Sequence, residues 1–119
     1  MRLPIQYAFA YPSRLPLNGE RLDLFKIGTL HFEKVDNNKF PCLQLAYQAI
    51  RKGGNMPCIL NAANEVANLA FRNDRISFTR IPQILEYAMQ NATFIASPTL
   101  EDYFLTDKQA RMLAESFIA

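Results

Sequence analysis

Asn61, Asn64, Glu65 and Asn68 fall at i, i+3, i+4 and i+7 inside Leu60-Asn61-Ala62-Ala63-Asn64-Glu65-Val66, so on a helix they form one polar stripe. Three amides and a carboxylate on one face can bind a ligand, or they can hydrogen-bond a neighbouring backbone and fix how the helix docks. The second role is the simpler expectation, because buried amides without partners cost roughly 1–3 kcal/mol each and are held in networks that specify packing.

Other residue types that carry chemistry are too scattered to act together. His31, the one histidine, has no acidic or cysteine neighbour at ligand spacing. Glu101-Asp102 is the only adjacent acidic pair, and it fits the first turn of a helix, where the dipole favours negative charge. Metal sites that serve phosphorylated substrates need clustered carboxylates instead. Gly19, Gly28, Gly53 and Gly54 make no G-x-G-x-x-G pattern to cradle a pyrophosphate, and Gly53-Gly54 reads as a helix stop. Cys42 and Cys58 lack C-x-x-C spacing and read as buried reduced thiols, as expected of a cytoplasmic protein. The expectation is therefore no catalytic, metal-binding or cofactor-binding residue in these 119 residues.

The elements that position these residues follow from period and punctuation. A short helix over Pro4–Ala10 buries Ile5, Ala8 and Phe9, and Pro12 and Pro16 stop it. Tyr11 to Arg21, with Ser13, Asn18 and Gly19, reads as a linker. Thr29-Leu30-His31-Phe32-Glu33 alternates like a half-buried strand. That strand has nothing to pair with in this chain, so its backbone needs another sheet or a second copy of itself, the latter a homodimer.

Four helical patterns follow. Cys42, Leu45, Ala46, Ala49 and Ile50 line the first; the second runs from Pro57 to Phe71 with Ile59, Ala63, Val66 and Ala70 on one face. The third follows Thr79 as N-cap, with Ile81, Ile84, Leu85, Ala88 and Met89 inward. Thr106-Asp107-Lys108-Gln109 has the spacing of a capping box opening the fourth, after one separate helical turn near Ser97–Phe104. The fold class is mainly α: a four-helix bundle-like domain preceded by a short helix and an extended linker with one strand.

Composition narrows the partners. A net charge of +2, with no helix concentrating Lys and Arg on one face, argues against a nucleic-acid surface. No apolar run approaches the roughly 18 residues of a membrane span, and the first ten residues have no continuous apolar core of a secretory signal.

Met1-Arg2-Leu3-Pro4-Ile5, Phe40-Pro41-Cys42-Leu43 and the Asn61–Val66 wording in combination closely resemble the C-terminal portion of the 1-deoxy-D-xylulose 5-phosphate reductoisomerase family. The resemblance spans the whole chain. It implies that residues 1–36 are the end of a catalytic domain and its linker, and that residues 37–119 are a C-terminal helical domain. The family rearranges 1-deoxy-D-xylulose 5-phosphate and reduces the product with NADPH, using Mg²⁺ or Mn²⁺, to 2-C-methyl-D-erythritol 4-phosphate for isoprenoid synthesis. Its metal, phosphate and nucleotide residues lie upstream of the Met-Arg-x-Pro-Ile motif. Only the methionine opening that motif approaches the substrate pocket, and Met1 stands there. The resemblance thus implies a chain that is inert alone, whose partner is the remainder of the enzyme. The alternative is a stand-alone helical protein-interaction module derived from the family.

Overall fold

The computed structural model describes residues 2–16 and 18–119, and they divide into two units, Met1–Glu33 and Lys34–Ala119. In the first unit, α1 spans Arg2–Ala10 and buries no residue. Its side chains hold the following turn instead: the Gln6 amide donates to the Pro16 carbonyl at 3.1 Å, and Arg14 lies 4.3 Å over the Tyr7 ring. A single helical turn, α2, covers Leu24–Ile27. Asp23 caps it by accepting from the Phe25 and Lys26 amides, and Gly28 at φ +70° ends it.

The strand expected over Thr29–Glu33 is not formed, and among the described residues there is no strand at all. Alternation alone cannot make one, because a ladder needs a second backbone to exchange N–H···O=C bonds with. The side chains of that segment stay in the open, Phe32 at 88% exposure and Phe25 before it at 99%.

The second unit is the four-helix bundle: α3 Cys42–Lys52, α4 Met56–Arg72, α5 Arg80–Asn91 and α6 Leu100–Ile118. Helix α4 is the centre, packing on α3, α5 and α6, while α5 also touches α3 and α6. Ile59, Ala62, Ala63, Val66, Ala67 and Ala70 face inward from it, meeting Ile84, Leu85 and Ala88 of α5 and Ala110 and Ala114 of α6. The alanines let the helices approach closely, and the branched residues fill the remaining space. Val66 is 8% exposed, so Val66→Ala is expected to lower stability by about 1–3 kcal/mol through lost burial and a residual cavity. The urea midpoint measures it; an unchanged midpoint places that face outside the core.

Three local expectations are corrected. Thr106 does not open a helix: α6 is continuous from Leu100, and Thr99 is its N-cap. The Thr99 hydroxyl accepts from the Asp102 amide at 3.2 Å, and the Asp102 carboxylate accepts from the Thr99 amide at 2.8 Å. Those bonds hold the Asp102 carboxyl below its usual pKa. Both boxes have acceptable sequence spacing, but only Thr99 follows a proline-containing turn that breaks the preceding backbone. Thr79 begins α5 without a side-chain bond to the helix backbone, its hydroxyl lying 3.2 Å from that of Ser77. Cys42 and Cys58 are free but only half-buried. Burial still pushes both thiols up from their ordinary pKa.

Candidate functional site

The polar stripe comes to the surface. Asn61, Asn64, Glu65 and Asn68 are all exposed, because the inward arc of α4 is already filled by the residues at 59, 62, 63, 66, 67 and 70. The helix is therefore less enclosed than its composition suggests. Glu65 is fixed from across the bundle: its carboxylate accepts from Arg111 of α6 at 3.0 Å. Arg111 also donates to both Asp107 oxygens, at 2.7 and 3.1 Å, in the forked geometry that suits a guanidinium. The hydrogen bonds of Asp107 first, then of Glu65, raise the Arg111 pKa, so the guanidinium stays charged. With half-exposed side chains, each pair contributes only about 0.2–1 kcal/mol. The cluster aligns α4 with α6 and holds no unengaged base or nucleophile.

Asn61 and Asn64 border a shallow groove between α3 and α4, lined by Leu43, Ala46, Ile50 and Leu60. Leu43, Tyr47 and Ile50 remain exposed along α3. The face expected to bury Ala46 and Ile50 thus buries only Leu45 and Ala49. Helix α3 meets α4 and α5 but not α6, so one neighbour fewer is available to cover it.

The polar residue that organises the bundle is one that sequence reasoning passed over. Asn55, fully buried, precedes α4. Its side-chain oxygen accepts from the Ile95 amide at 2.9 Å, and its nitrogen donates to the Thr93 carbonyl and the Thr106 hydroxyl, both at 2.9 Å. Its backbone amide donates to the Ile95 carbonyl at 3.0 Å. One side chain thereby joins the α3–α4 turn, the α5–α6 loop and α6. Beside it, Gly54 has φ +56°, and a Cβ there would run into the Ile95 carbonyl oxygen. The signal in the sequence was Gly53-Gly54-Asn55, which reads as a simple stop until the loop it touches is known.

The remaining candidates stay apart. His31 and Glu101 are exposed, Asp102 is committed to its cap, and Met1 lies outside the described residues. Among the described residues no three His, Cys, Asp or Glu come together to hold a metal ion, and no helix is long and apolar enough to cross a membrane. These residues do not fit a divalent cation, and no glycine loop here fits a dinucleotide phosphate.

Comparison with known proteins accounts for a bundle without chemistry. The profile described as DXP reductoisomerase C-terminal domain matches residues 1–113. The 1-deoxy-D-xylulose 5-phosphate reductoisomerase of Bacteroides fragilis is 48% identical over 118 residues, covering 99% of this chain and 30% of that protein. That of Phocaeicola vulgatus is 50% identical over 119 residues, covering 100% of this chain and 31% of that protein. The solved reductoisomerase from Zymomonas mobilis, in complex with NADPH, superposes with a TM-score of 0.82 at 39% identity, over 98% of this chain and 31% of that one. The chain thus spans about a third or less of the length of these relatives. Matched along 1–113 in sequence and along nearly all its length in structure, the chain belongs to the DXP reductoisomerase C-terminal domain family.

Proposed function

We propose that this chain works as the C-terminal structural part of a 1-deoxy-D-xylulose 5-phosphate reductoisomerase. That enzyme converts 1-deoxy-D-xylulose 5-phosphate to 2-C-methyl-D-erythritol 4-phosphate with NADPH in isoprenoid biosynthesis. The observation that carries the reading is a match along 99% of this chain to 30% of a relative bearing that name. On this reading residues 1–36 end the catalytic domain and link it to the helical domain of residues 37–119. NADPH and Mg²⁺ or Mn²⁺ are held by the remainder of the enzyme, which is this chain's partner, in the cytoplasm. Met1, standing at the family's opening methionine, is the one position here that approaches the substrate. The uncovered apolar side of α3 and the open side chains of residues 22–35 support a role in bracing other parts of an enzyme, since contiguous apolar surface marks an interaction site.

A chimera tests the proposal. The matching C-terminal 30% of the Bacteroides fragilis reductoisomerase is replaced by this chain, and NADPH oxidation is followed with substrate and Mg²⁺. The expected results are turnover by the chimera, background only from the 119-residue chain by itself, and background from the relative lacking that region. A folded chimera without turnover favours the stand-alone interaction module, and turnover by the chain alone overturns the bracing role outright.

A further inference from the structure

We propose that Asn18-Gly19 is a site of spontaneous deamidation, and that the first unit carries a built-in, time-dependent change of charge. It is the one Asn-Gly pair in the sequence. Both residues are exposed, both lie outside the helices, and Gly19 sits at a bend. Glycine leaves the backbone free to rotate and sets no side chain against an approaching group.

The step needs no cofactor. The Gly19 backbone nitrogen gives its proton to base and attacks the Asn18 side-chain carbonyl carbon. A C–N bond forms and the side-chain nitrogen departs as ammonia, leaving a five-membered succinimide. Water then opens the ring at either carbonyl, yielding aspartate or isoaspartate, with nothing oxidised or reduced. The aspartate adds one negative charge to a chain whose net charge is +2. The isoaspartate also inserts a side-chain carbon into the backbone path between α1 and α2.

The other asparagines are held away from this reaction by their surroundings. Asn61, Asn64 and Asn68 are as exposed as Asn18, but the amide that follows each is fixed inside α4. Asn55 has its side chain engaged by three partners, and the Asn91 amide donates to the Tyr87 carbonyl at 2.8 Å. Asn73 is followed by Asp74, whose amide is bonded to the Phe71 carbonyl at 3.0 Å. Asn37 and Asn38 are followed by Asn and Lys, whose side chains crowd the attacking nitrogen.

The 119-residue chain is incubated in mildly alkaline buffer, and peptide mapping follows the gain of one mass unit at each asparagine. Glycine's freedom leads us to expect Asn18 to convert on the order of tenfold faster than any other asparagine. Isoaspartate should accumulate with aspartate, and a more acidic species should appear on ion exchange. Gly19→Ala and Asn18→Gln, both in an exposed loop, should each suppress that species. Adding denaturant should accelerate the α4 asparagines and leave Asn18 nearly unchanged. Equal conversion in Gly19→Ala, or strong acceleration of Asn18 on unfolding, would overturn the assignment, since either shows that the folded loop does not present a reactive pair.

Discussion

Asn55→Ala is expected to destabilise the bundle by about 3 kcal/mol, far more than removal of any other asparagine. The substitution deletes one side chain but strands three groups: the Ile95 amide, the Thr93 carbonyl and the Thr106 hydroxyl. A buried polar group left without its partner costs roughly 1–3 kcal/mol, and water reaches this site poorly because Asn55 is fully enclosed. Asn55→Asp should also destabilise, since a carboxylate cannot donate to the Thr93 carbonyl. The comparison is urea unfolding of both variants beside Asn61→Ala and Asn64→Ala, which lie on the surface and should stay within about 0.5 kcal/mol of the parent chain. Equal midpoints across all four variants would remove Asn55 as the hub joining the two loops.

Ile84→Ala should cost about 4 kcal/mol, whereas Ile50→Ala should cost little in the same chain. Both isoleucines sit at inward-reading positions of their helices, yet Ile84 is 0% exposed and Ile50 is 70% exposed. Deleting a fully enclosed isoleucine loses its transfer free energy and leaves a cavity that α4 and α5 only partly close. Deleting Ile50 removes surface that water already covers. On the proposed reading the cost of Ile50→Ala appears only in the chimera, where α3 has the rest of an enzyme to meet. A large destabilisation of the chain alone by Ile50→Ala would mean that α3 turns its other side inward.

Much of the bundle was legible in the residues themselves. The four apolar periods placed helices within a few residues of Cys42–Lys52, Met56–Arg72, Arg80–Asn91 and, apart from its start, Leu100–Ile118. Val66, Ala63 and Ile59 were recognisable as core, since a 3.6-residue period on a long alanine-rich helix admits one phase. The family was legible too, because three specific stretches agree in wording, and their match extends over residues 1–113.

What the residues did not determine are the features that depend on a second element. Thr29–Glu33 alternates like a strand, but strand formation is a property of a pair, and no partner backbone lies beside it among the described residues. Thr99 and Thr106 both satisfy a capping pattern; Thr106 is instead drawn into the middle of α6, where Asn55 bonds its hydroxyl. The stripe at 61, 64, 65 and 68 was correctly a single face, yet whether that face meets a neighbour or water was set by where α3 and α6 stop covering α4. Local sequence determined the period and phase of each helix, because those follow from dihedral preferences and side-chain spacing along one chain. Tertiary structure alone decided which stripe is covered and which polar group finds a partner, because burial and hydrogen bonding are shared between elements distant in sequence.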